Sequence, residues 1–583
     1  MKRGSNRGNN GYIGVHQADT VLSGVVTPNK LYNIEMRDIP YQPFALKDAL
    51  GFTATAVYQR PTEWPILPDV TAGTQQIVGL FAVYNNESNA CAVQIQGAYS
   101  VDWGDGTTGN FASNAIATKR YDQTTYEGLT SSVVTSRGGQ YKTALIKITP
   151  QSGSNFTSVD FCAYPAITGW ATTNRPASTN WLDIRMAGAN VTTLTVSKWF
   201  YNSIPNTLLE QFEYVGPAAL TSMSFISAHS LQRITQFPST RNVAAWASMF
   251  HTCYALQEMP ASILDGLVNN AATSASACFY YCFALKSLPV AALDLRRVAD
   301  LSNLFTTCGS LERSPTLVTT NTTTNMSSVY STCYRLREIP QFTNTNSVTN
   351  MSSMFSSCYS LRTPPSGLST GNVTNFSSMF SNCASLVSAP PLNTSKGSDM
   401  SLMFAGCGAL RTIPQYDYSK VTTLSQFGRY SAIQYAPRFN TGLSLTNTSF
   451  MWEFNTRLLD VPIMDNITNV TNVSQMFNGT ESIRTIPGIT LGNPTTTANM
   501  FGTYTSGSLA FNKHLTWMDM KGISFSFNLF GAMLGSTALN NIYTNLATVG
   551  VSGANAKVLG VTGNWGYTAS NKMIAISKGW SVP

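Results

Sequence analysis

The stretch from about Asn242 to Phe501 repeats itself, and this limits the possible folds more than any other feature. The frame is an aromatic, a cysteine three residues on, a leucine three further, then a proline. It runs as Phe250/Cys253/Leu256/Pro260, Phe279/Cys282/Leu285/Pro289, Phe305/Cys308/Leu311/Pro315 and Tyr330/Cys333/Leu336/Pro340. Phe355/Cys358/Leu361 with Pro364 and Pro365, Phe380/Cys383/Leu386/Pro390 and Phe404/Cys407/Leu410/Pro414 follow. The cysteine is then lost while the frame continues as Phe427/Tyr430/Ile433/Pro437, Trp452/Asn455/Leu458/Pro462 and Phe477/Thr480/Ile483/Pro487. Steps between anchors are mostly 23 to 26 residues, with one of 29. A period of that length implies a solenoid, and leucine-rich repeats fall in this range.

One copy, Asn346 to Pro365, sets out the physics. Val348, Met351, Met354, Phe355, Cys358 and Leu361 recur at the spacing of one helical face, with Ser352, Ser353, Ser356 and Ser357 opposite. This predicts a helix or a run of helical turns. Such a coil cannot bury its apolar side alone and needs a coil above and below. The tails, Leu336 to Pro340 or Leu410 to Pro414, alternate apolar and polar and read as short strands ending at proline. The Asn/Ser/Thr linkers, such as Thr343 to Thr349, carry turn chemistry.

Seven of the ten cysteines share one repeat position. Cys278 and Cys282 lie close, but no partner pair stands at metal-ligand spacing. Tyr430, Asn455 and Thr480 stand in for the cysteine in later copies, a substitution that neither a ligand nor a bridge tolerates. The expectation is a column of small buried thiols.

The strings Asn372-Val-Thr-Asn-Phe-Ser-Ser-Met-Phe380 and Asn350-Met-Ser-Ser-Met-Phe355 resemble the BspA-like leucine-rich repeats of bacterial surface proteins and some tailed-phage proteins. The resemblance covers about half of the chain. It implies adhesion or recognition through a repeat surface, without catalysis.

Charged residues make up 11% of the chain, far below the usual quarter, so Ser, Thr, Asn and Gly must carry the surface. The net charge of +8 is spread thinly, with no dense basic run after Lys2, Arg3 and Arg7, and this argues against nucleic acid as a partner. No run of 18 residues is free of polar side chains, so no membrane insertion is expected. The start, Met1-Lys-Arg-Gly-Ser-Asn-Arg-Gly-Asn-Asn, holds no apolar stretch of the kind a secretory leader needs. Assembly in a host cytoplasm, with reduced thiols, is the corresponding expectation.

Along the chain the expected plan is an extended N-terminal arm over 1–60, a β-sandwich over 61–165, a mixed α/β solenoid over 166–510 and a capping region over 511–583. Gly4, Gly8, Gly11, Gly14 and Gly24 interrupt the arm. Ile77–Tyr84, Ala92–Ile95, Tyr99–Trp103 and Tyr141–Ile148 read as strands, and Asp105-Gly106 as a hairpin turn. Val101-Asp-Trp-Gly-Asp-Gly-Thr107 resembles the WGDGT hairpin of PKD-like β-sandwich domains. Asp102 and Asp105 are read as turn carboxylates, the alternative being a calcium site for which two carboxylates are few. Phe225 lies one period before Phe250. Leu534, Leu539, Ile542, Leu546 and Val549 have helical spacing, and Asn571 to Val582 reads as a helix, a glycine turn and a strand. Gly11-Tyr-Ile-Gly14, the composite from Arg60 to Thr107, and the ending Ala575-x-x-Lys-Gly-Trp-x-Val582 resemble parts of tailed-phage virion proteins.

No enzyme is expected. The histidines His16, His229, His251 and His514 have no metal-binding spacing, and no nucleophile elbow, phosphate loop or dinucleotide fingerprint occurs. His251 beside Cys253 could mimic a Cys/His dyad, but Thr306, Ser331, Ser356 and Ser381 hold that station elsewhere, so it reads as an ordinary surface position. No catalytic, cofactor or metal residue is assigned. The functional expectation is a phage virion protein, a tail fibre or baseplate appendage whose solenoid recognises a host surface. The arm would bind other virion proteins, and the solenoid a carbohydrate or protein of the host. A homo-oligomer, with a trimer as the class expectation for fibres, goes with it. The alternatives are an architectural head decoration or fibre without a receptor, and a bacterial surface adhesin.

Overall fold

The computed structural model describes residues 58–85, 89–129, 132–134, 140–163, 180–198, 206–268, 272–492, 494–501, 514–529, 532–549 and 556–583. Apart from residues 58–60, the expected arm lies outside the described residues. The chain forms two compact units, Met1–Val318 and Thr319–Pro583.

Unit one begins with antiparallel pairing. Strands β1 (Gln75–Tyr84), β2 (Asn89–Gln96), β3 (Tyr99–Asp102), β4 (Thr108–Phe111), β5 (Ile116–Tyr121), β6 (Ser132–Val134), β7 (Gln140–Pro150) and β8 (Ser158–Asp160) lead the chain. They are followed by β9 (Trp181–Gly188), β10 (Thr193–Ser197), β11 (Gln211–Tyr214), β12 (Ser222–Phe225) and β13 (Arg233–Ile234). One sheet runs β13-β11-β9-β1-β7-β3-β4, with β6 on β7, and the other β12-β10-β8-β2-β5. The β1–β7 register pairs Ile77 with Ile148 and Tyr84 with Tyr141, so the alternation seen in the sequence faces a common core. Phe81 from one sheet stacks on Tyr121 from the other at 5.7 Å, and Tyr121 Oη donates to Trp103 O. Phe81 also meets Trp181 edge-on at 5.5 Å.

Pairing changes sense within each sheet. β9 is antiparallel to β1, but β9, β11 and β13 are mutually parallel. β8 is antiparallel to β2, while β8, β10 and β12 are parallel. Coil stacking therefore starts on sheet edges that would otherwise be open to another chain. The ladder passes through the sequence boundary expected near 165. The strap Arg60–Val70 lies over the outer face of the first sheet, burying Trp64, Leu67 and Val70 against Val78, Leu80, Ala82 and Leu182. Trp64 Nε1 donates to Tyr141 Oη at 2.7 Å, and Arg60 Nε to Asp183 Oδ2 at 2.7 Å.

In unit two the predicted apolar residues are inside. Val348, Met351, Met354, Phe355, Cys358 and Leu361 are all fully buried. Of the two expectations, a helix or a run of helical turns, the continuous helix is absent and a run of turns stands in its place. Ser353 and Ser357 have φ of 54° and 59°, in the left-handed region, which a right-handed helix excludes. Met354, Ser356 and Cys358 N–H bond three residues back, to Met351, Ser353 and Phe355. The alternate N–H groups of Met351, Ser353, Phe355 and Ser357 reach the next coil, at Asn375, Ser377, Met379 and Ser381 O, over 2.7–3.1 Å. Asn and Ser compete for the backbone here as they do in turns, and neighbouring coils take up the bonds a helix would make.

The tails also differ from expectation. In unit two they make isolated bridges, Thr412 with Tyr435 and Asp460 with Thr485. Regular strands follow the proline in unit one, at β14 (Ala292–Asp294) and β15 (Thr316–Val318), which pair in parallel. In unit two, β16 (Thr485–Thr490) contains Pro487, where the register with β17 (Trp517–Lys521) shifts between Ile486 and Ile489. The missing proline N–H is tolerated at such an irregularity. The final segment holds a helix at Ser536–Asn545, a turn of helix at Met573–Ile576, Gly579 at φ 88° and a three-stranded sheet of β18 (Phe527–Asn528), β19 (Lys557–Gly560) and β20 (Trp580–Ser581). Trp580 packs edge-on to Phe527 at 6.1 Å.

Candidate recognition surface

Recognition by a solenoid depends on what its columns show, and the core column comes first. In unit one, Phe225, Phe250, Phe279 and Phe305 stack at 5.3–5.5 Å. In unit two, Tyr330, Phe355, Phe380 and Phe404 stack at 5.4–5.9 Å. All ten cysteines are free and buried. The repeat thiols have a shared partner. Cys358 Sγ donates to Tyr330 O, Cys383 to Phe355 O and Cys407 to Phe380 O, at 3.0–3.1 Å. Cys253, Cys282 and Cys308 do the same to Phe225, Phe250 and Phe279 O. Burial pushes these thiols up, Cys383 to about 12, so they stay protonated.

One anchor stands a residue beyond its expected place. Phe404 N bonds Phe427 O, as Phe380 N bonds Met403 O, so Gly428 holds the aromatic station and Phe427 the methionine station. A Cβ on Gly428 would meet Trp452 Cζ3 at 2.6 Å: the indole of the next coil fills the place of the missing ring. The station of the thiol is then Ser431, whose Oγ donates to Gly428 O at 2.7 Å, rather than Tyr430. Thr480 Oγ1 bonds Phe477 O at 2.6 Å, and Asn455 Nδ2 donates to Ser431 Oγ at 3.1 Å. A short donor at this station is what the repeat requires, and cysteine is one way to supply it.

The outer face carries hydroxyls. Thr324, Thr349, Thr374, Ser398, Thr422, Thr446, Thr471 and Thr495 form one column, exposed except for the half-buried Ser398. Each hydroxyl from Thr349 onward donates to the carbonyl of the residue one coil earlier, at 2.9–3.3 Å. That bond fixes the side chain, so the column is presented with little rotamer freedom left to lose. The next residue closes an Asx turn. Asn350 Oδ1 accepts from Ser352 N, Asn375 from Ser377 N, Asp399 from Ser401 N and Asn472 from Ser474 N, at 2.9–3.1 Å. The many Asn-x-Ser strings are therefore backbone devices.

The other sequence candidates separate. Asp102 Oδ1 accepts from Gly104 N at 3.0 Å. Asp105 Oδ1 accepts from Thr107 N and Oγ1, and its Oδ2 pairs with Lys119 Nζ at 2.6 Å. Both carboxylates are engaged in the hairpin, where Gly104 and Gly106 take φ of 75° and 84°. The Lys119 ammonium and the Thr107 bonds hold the Asp105 carboxyl below its usual range despite burial. No group of three or more His, Cys, Asp or Glu side chains among the described residues is placed to hold a metal ion.

His251 is not an ordinary surface position. It is half-buried, and its ring stacks on Tyr280 at 4.7 Å, while His229 lies 5.0 Å from Tyr254. Burial lowers both imidazoles to about 4, His229 with help from the charge of His251. Cys253 directs its thiol to Phe225 O, so no dyad forms.

Residues 273–393 and 390–517 match the model of a family described as "Mycoplasma protein of unknown function, DUF285". No curated protein matches the chain. A solved structure titled "Crystal structure of TLR13-ssRNA13 complex" is similar over 65% of this chain and 65% of that one, at 12% identity and a TM-score of 0.16, too loose an overlay to bear on fold or ligand. The stretch from 273 to 517 is thus a repeat region similar to DUF285, and a β-sheet region precedes it in the chain.

Proposed function

We propose that this chain is a passive recognition protein of a tailed-phage virion, a fibre or baseplate appendage that presents its solenoid to a host surface. The observation that carries this reading is the hydroxyl column from Thr324 to Thr495, held by one bond per coil and flanked by amide side chains. A fixed, uncharged row of this kind suits a neutral carbohydrate or a protein loop, because little ordering remains to be done on binding. The β-sheet region, in the PKD-like sandwich class by its WGDGT hairpin, would serve as the spacer, and the residues before it as the attachment to the particle. The test is electron microscopy of particles labelled with antibody against residues 570–583, together with binding of the purified chain to host cells. Label on the tail and saturable binding support the reading. Label confined to the capsid shell, or no binding to any host cell, overturns it.

A further inference from the structure

Residues 319–583 hold 15 Lys and Arg against 8 Asp and Glu, so unit two carries seven of the eight net positive charges of the chain. Two of its arginines are neutralised in place, Arg429 by Glu453 and Arg438 by Asp465. Five others gather on one wall. Arg337, Arg362, Arg411 and Arg484 each follow the buried residue of the leucine column, namely Leu336, Leu361, Leu410 and Ile483. Arg457 precedes Leu458 on the same arc.

Backbone bonds stack these arcs. Val387 N donates to Arg362 O at 3.0 Å, Gln434 N to Arg411 O at 2.8 Å, Leu459 N to Gln434 O at 3.1 Å and Arg484 N to Leu459 O at 2.7 Å. Adjacent arcs are therefore about one strand spacing apart, ~4.8 Å. Arg337, Arg362, Arg457 and Arg484 are exposed. Arg411 is half-buried, with Nη1 donating to Gly408 and Ala432 O. Burial lowers its pKa, and the charge of Arg457 adds to the shift. Among the described residues none of the five is ion-paired. The acids on these arcs are Glu338, Asp460 and Glu481, and the Asp460 carboxylate accepts from Thr485 Oγ1 at 2.8 Å.

We propose that this wall binds a linear acidic polysaccharide, whose carboxylates meet the arginines across several coils, with Val387 and Gln434 at the stations between them. Guanidinium forks match carboxylates with two parallel hydrogen bonds, and weak contacts repeated along a polymer add. Single-stranded nucleic acid fits less well. Such binding uses open ring faces for the bases. The exposed rings that border these arcs, Tyr435 and Trp517, stand on separate coils and are too few for successive stacked bases, and Tyr334 and Tyr359 are closed on one another at 5.3 Å and 6°. The arginine wall is separate from the hydroxyl column, and the proposal holds whether or not that column meets a host.

The experiment uses the full-length chain against immobilised polygalacturonate, with neutral dextran and poly(dT) in parallel, from about 50 to 300 mM salt. Polygalacturonate should bind and be released as salt rises, while dextran should not bind. Arg337→Gln, Arg362→Gln and Arg484→Gln together should weaken binding at least about tenfold with an unchanged melting curve, since all three side chains are exposed. Lys420→Gln with Lys557→Gln, exposed cations off this wall, should leave binding unchanged. Equal binding by the triple variant, equal binding of dextran, or retention of poly(dT) alone would overturn the proposal. Cell binding is scored separately, so failure here is distinct from failure of host recognition.

Discussion

Single residues in this solenoid are chosen for one donor, one turn or one ring, and substitutions should follow that logic. Cys383→Ser keeps a short donor that can reach Phe355 O or, as Ser431 does with Gly428 O, the anchor carbonyl of its own coil, and should cost no more than about 1 kcal/mol in urea unfolding. Cys383→Leu forces extra volume into a fully buried site and should cost about 1–3 kcal/mol. Asn375→Asp should be tolerated because Asp399 closes the same turn one coil on, whereas Asn375→Ala should lose about 1 kcal/mol by leaving Ser377 N without its acceptor. His229, buried, and His251, half-buried, make stability depend on pH. Their folded pKa of about 4 lies below the ordinary 6.5, so the unfolded chain takes up protons first as pH falls. Their contribution is complete above pH 6.5 and is lost progressively from there towards 4. The Tm at pH 5 should therefore lie below that at pH 7, and His229→Phe with His251→Phe should narrow the gap.

At the scale of elements, fit between neighbours decides. Gly428→Ala would press a Cβ against the Trp452 ring and should destabilise by about 1–3 kcal/mol, with Trp452→Leu in the same chain recovering part of the loss. The strap is fastened by two ion pairs, Arg60 with an Asp183 that is 2% exposed and Arg185 with a fully exposed Asp69. Arg60→Ala should cost about 2–3 kcal/mol because it leaves a carboxylate buried, and adding Asp183→Asn should relieve much of that. The repeat period, the inward residues, the β1 and β7 alternation and the Asp105-Gly106 hairpin were legible because burial and turn chemistry write themselves as spacing. The coil backbone was not. An apolar face at helical spacing also suits a chain that alternates right- and left-handed residues, and only the bonds to the next coil separate the two. The slip at Phe427 has a related cause: with glycine at the anchor, the nearest aromatic takes its place in the pattern. The sheets that change from antiparallel to parallel at β9 and β8 left no mark either, since pairing sense is set between distant segments.

At the scale of the molecule, coils that depend on their neighbours should be removable only as whole turns. Excising residues 350–374 brings Asn375 to the station of Asn350, and the product should unfold in one transition with a lower urea m-value. Removing about half as many residues should abolish folding by circular dichroism, because every inward side chain would rotate out of its column. The direction of the bonds between coils adds a further property. On the anchor arc every such bond runs from an earlier N–H to a later C=O, from Met326–Asn350 to Phe477–Met500. Peptide dipoles on that arc therefore add up, as they do along a helix. An arc with a sense of direction has two unlike rims, one rich in bare oxygens and the other in bare amide hydrogens, and their chemistry does not change with the number of turns between them. A lineage can lengthen or shorten such a stack freely and still close it with the same two end pieces.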